Sequence, residues 1–248
     1  MLETRSLHKH FGGLSATSNV SLEVRKDELH ALIGPNGAGK TTLIAQLSGS
    51  IMPDAGRIVF SGQDITSLSM HRRVALGLVR SYQITSIFPG LSVLDNIALA
   101  TQARGGRSFA AWRPVLSDAA LHEESHAVLD AVGLAGRAQT VAGRLSHGEQ
   151  RQLEIGLSLA TRPTLLLLDE PMAGLDSGQA ERMIGLVGRL KSRVTLLLVE
   201  HDMDAVFRLA DRISVLVGGR LIATGTPEEV RANGQVQDAY LGDTGAPE

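Results

Sequence analysis

A glycine-rich segment at residues 34–41 limits the possible folds of this chain more than any other feature. It reads Gly-Pro-Asn-Gly-Ala-Gly-Lys-Thr, follows the apolar run Leu29 to Ile33, and precedes a helix-like stretch, Thr42 to Leu47. A strand, a loop of this spacing and a helix together aim successive backbone N–H groups at one point. The segment therefore predicts a loop that binds the phosphates of a nucleoside triphosphate.

The residue types in this loop each have a predicted role. Gly34, Gly37 and Gly39 allow backbone angles and close approaches that a side chain would block. Lys40 brings a positive charge to the β- and γ-phosphates, and the Thr41 hydroxyl is a predicted ligand of Mg²⁺. The loop alone leaves kinases, GTPases, helicases and transport ATPases open. The predicted ATP-binding residues of the loop are Gly34, Pro35, Asn36, Gly37, Ala38, Gly39, Lys40, Thr41 and Thr42.

Composition narrows the class of protein. The net charge is −2 and aromatic residues make up only 3% of the chain, which argues against a nucleic-acid surface. There are no cysteines, which excludes disulfides and thiolate metal sites. No apolar run approaches the roughly 18 residues that a membrane span needs, and the first residues lack the apolar core of a signal peptide. We therefore expect a soluble intracellular protein that acts at a membrane only through a partner.

Strand patterns predict the sheets of an α/β fold. Residues 1–33 are patterned as strands, and apolar and polar residues alternate from Val20 to Val24. Two later aliphatic runs, residues 165–168 and 194–199, are short enough to be buried parallel strands, and they alternate with helical segments. We predict a P-loop ATPase core with a mostly parallel sheet and an N-terminal antiparallel β-subdomain.

Helical patterns predict the remainder of a single domain over residues 1–248. Residues 91–145 change to helical patterning and, together with a helix predicted at 146–161, indicate a helical subdomain of about residues 91–160 inserted in the core. Thr226-Pro227-Glu228-Glu229 is a capping box with proline at the first helical position. It opens a predicted C-terminal helical extension over about residues 226–248.

An acidic pair follows the first buried strand. Leu165 to Leu168 is followed directly by Asp169 and Glu170. A strand of this kind brings a carboxylate to Mg²⁺ beside the phosphates, which is the predicted role of Asp169. Adjacent residues at a strand end point in different directions, so Glu170 can face an attacking water as a general base. The alternative is that the two acids only terminate the strand.

The stretch from Leu145 to Gln150 decides between the classes of nucleotide-binding protein. Locally it predicts a helix start, because Ser146 and Glu149 have the spacing of a capping box. It also resembles the signature motif of ABC ATPases, commonly Leu-Ser-Gly-Gly-Gln, with His147 in the third position. Glu149 brings a carboxylate where that family usually has an amide. The resemblance implies that a γ-phosphate is bound at this helix N-terminus by Ser146, His147, Gly148 and Glu149.

The resemblance to ABC nucleotide-binding subunits extends over almost the whole chain. It implies that Phe11 contacts the adenine ring, with a core aromatic as the alternative. It further implies that Gln83 reaches the metal and the attacking water, that Asp176 belongs to a loop that crosses a dimer, and that His201 contacts the γ-phosphate. The implied catalytic residues are Glu170, His201 and Gln83, and the implied metal ligands are Thr41, Gln83 and Asp169.

The same resemblance implies cofactors and partners. In that family two chains bind head to tail around ATP, and hydrolysis removes the phosphate that joins them. ATP and Mg²⁺ are expected, with a second ABC ATPase subunit, identical or paralogous, and transmembrane permease subunits at the cytoplasmic face of the inner membrane. A solute-binding protein is expected as an indirect partner, and nucleic acid is not. The groove between the Gln83 loop and residues 86–95 is the predicted dock for a permease helix.

Shorter segments indicate a subgroup. Phe11-Gly12-Gly13-Leu14 and the endings Gly225 to Val230 and Ala239 to Gly242 resemble the ATPase subunits of branched-chain amino-acid and urea or amide importers. The predicted function is ATP hydrolysis that energises such an importer. Three alternatives stay open: an ATPase of the lipopolysaccharide-export group, a soluble ABC ATPase without a membrane partner, and a P-loop kinase. A kinase would leave the signature stretch and His201 without a role.

Overall fold

The chain forms two compact units. A computed structural model describes residues 1–81, 87–104 and 119–241, and of residue 241 it describes the backbone only. The first unit consists of Met1–Arg73, Leu167–Glu170 and Thr195–Glu248, and the second of Val74–Leu166 and Pro171–Val194.

The regular elements of the described residues are numbered along the chain. The strands are β1 (Leu2–Phe11), β2 (Leu14–Val20), β3 (Glu23–Val24), β4 (Leu29–Ile33), β5 (Ala55–Phe60), β6 (Gln63–Asp64), β7 (Leu78–Arg80), β8 (Leu165–Asp169), β9 (Thr195–Val199), β10 (Arg212–Val217) and β11 (Arg220–Gly225). The α-helices are α1 (Lys40–Ser48), α2 (Met70–Ala75), α3 (Val93–Arg104), α4 (Ala119–Val132), α5 (His147–Ala160), α6 (Ser177–Leu190), α7 (Met203–Leu209), α8 (Pro227–Arg231) and α9 (Gly234–Leu241).

An antiparallel sheet forms the N-terminal part of the first unit. Its strands follow the order β2-β1-β5-β6, and β3 pairs with β1. The alternation predicted from Val20 to Val24 is present in the burial of the side chains, but the strand itself is interrupted between β2 and β3. The Thr4 hydroxyl lies 3.1 Å from the Val20 carbonyl and accepts from the Leu22 N–H at 2.7 Å. The Thr4 backbone N–H also donates to the Leu22 carbonyl at 2.8 Å, so Thr4 bridges the break with both its side chain and its backbone.

A mostly parallel sheet forms the centre of the first unit. Its order is β11-β10-β4-β9-β8; β4 runs parallel to both β9 and β10, and β11 is antiparallel to β10. Every residue of β4, β8 and β9 is buried, as expected for parallel strands covered on both faces. The predicted α/β fold with a mostly parallel sheet and an N-terminal antiparallel sheet is thereby confirmed.

The second unit is mainly helical. α3, α4 and α5 pack against one another, with Ile97, Leu129 and Leu153 fully buried between them. A Cβ atom at Gly156 of α5 would lie 2.9 Å from Ile97 Cδ1 and 3.4 Å from a methyl group of Val132. The glycine therefore lets α5 approach α3 and α4 closely.

The C-terminal part of the first unit contains two helices where the sequence predicts one. The capping box of Thr226 and Glu229 is present at α8, with Pro227 as the first helical residue. The helix is interrupted at Asn233, whose side chain caps the start of α9 by accepting from the Val236 N–H at 3.3 Å. Both helices cover an aliphatic cluster on the parallel sheet.

Among the helices of the described residues, none combines the length and the apolar character that crossing a bilayer requires.

Candidate functional site

The phosphate loop lies between the carboxyl end of β4 and the N-terminus of α1. Gly37 and Gly39 have positive φ angles of 75° and 101°, and Gly39 is the N-cap of the helix. In the part of the chain that the structure describes, no side chain caps α1. The first N–H groups of the helix are thus available to an anionic ligand.

Two glycines of the loop are fixed by close backbone neighbours. A Cβ atom at Gly34 would lie 2.0 Å from the Leu216 carbonyl oxygen, and one at Gly39 would lie 2.1 Å from the Ala16 carbonyl oxygen. The Ala38 carbonyl also accepts from the Gly219 N–H at 2.9 Å. The loop is therefore held against β2 and the β10–β11 hairpin, and larger residues at these two positions would displace it.

Lys40 is a buried cation at the start of α1. Its Nζ donates to the carbonyl oxygens of Gly34 at 2.6 Å and Pro35 at 3.0 Å, so the ammonium lies across the loop. Burial lowers the pKa of Lys40, while the charges of Glu170 and Asp169 oppose that shift. The structure thus brings the predicted cation and the predicted acidic pair close enough to interact.

The acidic pair terminates β8 in the first unit. Asp169 is the last strand residue and is buried, whereas Glu170 is partly exposed and lies outside the strand. Glu170 has a positive φ of 47°, and its N–H donates to the Val199 carbonyl at 2.9 Å. The backbone turn at Glu170 separates the two carboxylates, which supports different roles for them.

His201 follows β9 and has an exposed side chain. Its backbone N–H donates to Glu200 Oε2 at 3.1 Å, and its Nδ1 lies 3.8 Å from the same oxygen. Glu200 is fully buried. Sequence reasoning missed this carboxylate as a neighbour of the histidine, although an acid at the end of an apolar strand was a usable signal.

The signature stretch forms the N-terminus of α5 in the second unit. Ser146 is the N-cap, and the predicted capping box with Glu149 is present. Ser146 and His147 are exposed, whereas Gly148 is buried, and a Cβ atom there would lie 3.2 Å from the Gln179 side chain. Ser146 and His147 therefore present the accessible groups of this helix end.

Asp176 caps the neighbouring helix of the same unit. Its carboxylate accepts from the Gln179 N–H at 2.8 Å at the start of α6. α5 and α6 thus begin beside each other. The small cleft at these helix starts is lined by Ser146, Gly148, Glu149, Gln152, Gln179, Arg182 and Met183.

Phe11 has an exposed side chain, whereas Gln83 is not among the described residues. Phe11 lies at the β1–β2 turn and is 48% exposed, with Lys9 Nζ 5.6 Å from its ring centre. This exposure excludes the alternative of a core aromatic and leaves the ring available to a ligand. Gln83, predicted to be a metal ligand and catalytic residue, lies outside the described residues.

The donor set fits a nucleotide with Mg²⁺. The loop offers a buried cation and a glycine cradle, and the Thr41 hydroxyl is exposed at the start of α1. Within the described ranges, no cluster of three or more acidic, histidine or cysteine side chains forms a metal site. Magnesium commonly takes one or two protein oxygens and completes its shell with phosphate and water, so oxygens such as those of Thr41 and Asp169 would be enough for it.

A phosphate loop with a buried lysine, followed by an acidic pair at the end of a parallel strand, is the arrangement of a P-loop nucleotide-binding protein. The family model described as ABC transporter matches residues 17–173. A second model, described as branched-chain amino acid ATP-binding cassette transporter, matches residues 220–246. The chain therefore belongs to the ABC transporter ATP-binding family, and its activity is the hydrolysis of ATP coupled to transport.

Individual relatives agree with this assignment along the whole chain. The high-affinity branched-chain amino acid transport ATP-binding protein BraF of Pseudomonas aeruginosa is 37% identical over 250 residues, covering 98% of each chain. LivG of Escherichia coli K12, described in the same words, is 36% identical with the same coverage. The ADP conformation of MJ1267, an ATP-binding cassette of an ABC transporter, is 30% identical, with a TM-score of 0.85 over 98% of both chains.

Proposed function

We propose that this chain is the ATP-hydrolysing subunit of an importer for branched-chain amino acids or related amino acids, urea or amides. The observation that carries the site assignment is the buried Lys40 ammonium on the phosphate loop, interacting with Asp169 and Glu170. The solute class is supported by the match over residues 220–246 and by the names of the relatives.

In the proposed reaction the residues of the first unit act on the terminal phosphate. Lys40 and the N–H groups at the start of α1 bind the phosphates, and Glu170 takes a proton from the attacking water. His201 contacts the γ-phosphate and is oriented by Glu200. Thr41, Asp169 and Gln83 would hold Mg²⁺, which would supply positive charge to offset that of the phosphates.

We also propose the arrangement of subunits. A second ABC ATPase subunit, identical or paralogous, presents the Ser146 helix end and the Asp176 loop to the nucleotide, and Phe11 contacts the adenine. Two positive helix ends on one polyanion bind it more tightly than one does, so ATP joins the subunits. The pair acts at the cytoplasmic face of the inner membrane beneath permease subunits that receive solute from a solute-binding protein.

An apolar patch of the second unit supports contact with a permease. The patch consists of Phe88, Leu91 and Val141, all of them exposed, and it overlaps the predicted dock at residues 86–95. The buried Asn96 side chain bonds both the N–H and the carbonyl of Phe88, at 2.7 and 3.1 Å. The Phe88 backbone is thus fixed while its ring faces outward, as expected for an anchor of a partner helix.

Substitution of Glu170 tests the proposed reaction. Glu170→Gln is expected to bind ATP as the parent does, to lose at least a hundredfold in hydrolysis rate, and to accumulate an ATP-bound dimer, because the base is lost while the binding groups remain. Lys40→Ala is the matched variant and should lose ATP binding itself. Binding is measured by titration with ATP and Mg²⁺, and dimers by light scattering. Hydrolysis by Glu170→Gln near the parent rate would contradict the role of this residue.

A further inference from the structure

A carboxylate occupies the helix end that the proposed function assigns to a phosphate. Glu149 lies in the first turn of α5, where the helix dipole favours negative charge. Its Oε2 accepts from the Ser146 N–H at 2.9 Å, beside the exposed Ser146 hydroxyl. A second anion at the same place would be repelled by Glu149 unless that charge is neutralised.

Arg137 supplies a neutralising charge. This residue ends a short 3-10 turn, Ala135–Arg137, that follows α4, and its Nε donates to Glu149 Oε1 at 2.8 Å. Burial alone would raise the pKa of Glu149, but the hydrogen bonds from Ser146 and Arg137 outweigh it and lower that pKa. Glu149 is therefore ionised at neutral pH, and Arg137 is its charge partner.

The exposure of the ion pair argues against a purely structural purpose. The Arg137 side chain is 56% exposed, and ion pairs with such exposed members add little to stability. The capping box needs only an oxygen acceptor at position 149, which an amide side chain also offers. The main effect of Arg137 in this pair is therefore to neutralise the negative charge at the start of α5.

We propose that Arg137 is a positioning residue that cancels the charge of Glu149, so that the α5 N-terminus of one chain can accept the γ-phosphate of ATP bound to a second copy. This inference rests on the proposed function, because it takes the α5 helix end as the surface that meets the nucleotide. The Arg137–Glu149 pair thereby gives this helix end the neutral charge that a single amide side chain at position 149 would give it.

The test uses ATP-driven dimerisation of the full chain in a Glu170→Gln background. The ATP concentration at half-maximal dimer is measured by light scattering for three further changes: Arg137→Ala, Glu149→Gln and both together. Arg137→Ala is expected to raise that concentration about tenfold, because it leaves an uncompensated carboxylate near the phosphate. Glu149→Gln is expected to lower that concentration, because Arg137 then remains as an uncompensated positive charge, and the double variant is expected to restore the parent value.

Two controls separate this effect from general ones. Arg189→Ala removes an equal charge from an exposed arginine in the last turn of α6, at the end of that helix away from the α5 and α6 starts, and should leave dimerisation unchanged. ATP binding by the monomer should be equal in all variants, because the phosphate loop is in the other unit. Rescue by the double variant would not occur if the pair were needed only to hold the helix.

The possible outcomes test the role of Arg137 separately from the proposed function on which it rests. Parent-like dimerisation of Arg137→Ala, or failure of Glu149→Gln to rescue it, would overturn the role of Arg137 while the ATPase assignment stands. Failure of the Glu170→Gln parent to dimerise with ATP at all would instead overturn the two-copy arrangement itself. A shift that is rescued by the double variant supports the proposal.

Discussion

Glu28 is a buried carboxylate whose pKa is shifted by the side chains around it. Its Oε1 accepts from the Arg25 N–H at 2.7 Å and lies 3.2 Å from His30 Nδ1 and 3.3 Å from an Arg212 nitrogen. The other ring nitrogen of His30 lies 2.8 Å from the Ser214 hydroxyl. Burial would raise the pKa of Glu28, but the His30 and Arg25 hydrogen bonds and the neighbouring positive charges lower it to about 2.

This pKa predicts an acid-dependent loss of stability. A carboxyl with a depressed pKa in the folded state stabilises the fold above its ordinary pKa of 4.5, and that contribution is lost as the pH falls toward 2. The full effect is about 3 kcal/mol. Urea unfolding of Glu28→Gln between pH 5 and 2.5 should therefore show a flatter pH dependence than the parent. Glu23→Gln, an exposed carboxylate, should behave as the parent does; equal slopes for all three proteins would refute the prediction.

At the residue scale, the sequence predicted the groups that follow a rule of local spacing. Lys40 is set by the phosphate-loop motif, and Asp169 and Glu170 by their position after an aliphatic strand. Arg137 could not be found in this way, because its contact with Glu149 depends on the turn after α4. The exposure of Phe11 likewise depends on the hairpin around it, which an aromatic residue alone does not determine.

At the scale of elements, α9 is linked to the phosphate loop. The Tyr240 ring packs on the cluster that includes Ile33, the residue before the loop, and its hydroxyl lies near the Gly34 backbone. Burial raises the pKa of Tyr240 to about 12, although the Gly34 backbone acts in the opposite direction. Helix α9 therefore lies against the residues at which the phosphate loop begins.

Replacing Tyr240 separates the packing of α9 from the polar contact of its hydroxyl with the phosphate loop. Tyr240→Phe keeps the ring and should lower ATP affinity about fivefold with little change in melting temperature, since a polar contact of this kind contributes about 1 kcal/mol. Tyr240→Ala should in addition lower the free energy of unfolding by about 2 kcal/mol, because packing is lost. Calorimetric titration with ATP and urea unfolding measure the two effects. Unchanged affinity in Tyr240→Phe would show that α9 does not hold the loop.

Element boundaries were predicted best where periodicity and caps agree. Helices α3 and α4 lie within residues 91–145, where helical patterning was predicted, and the capping boxes at Ser146 and Thr226 mark the starts of α5 and α8. The interruption after Val20 could not be predicted, because the Thr4 contacts that bridge it come from a residue distant in the sequence. The break between α8 and α9 has a local cause in Asn233, a residue that favours helix caps.

At the scale of the whole molecule, the apolar patch predicts where a permease binds. The chain has no cysteine, so a single introduced cysteine is the only thiol for cross-linking. Phe88→Cys should cross-link to a permease subunit in membranes that contain the complex. Met52→Cys, at a side chain that is 42% exposed in the first unit, is the matched control and should not. Equal cross-linking from both positions would contradict a dock at the patch.

The pattern of both sheets followed from the sequence, since the sheets depend on alternating or continuous apolar runs. The inserted helical subdomain of about residues 91–160 and the C-terminal extension remain predictions as domain boundaries. The division of the chain into two units could not be predicted from runs of residues, because β8 itself contributes residues to both of them.

The positive φ of Glu170 has a consequence for the evolution of this chain. A side chain other than glycine or asparagine in that backbone region costs roughly 1 kcal/mol, so asparagine would suit the turn better than glutamate does. The residue proposed to activate water is thus one that the local backbone disfavours. A selection for heat resistance alone would enrich substitutions at this position and, with them, chains that bind nucleotide without turning it over.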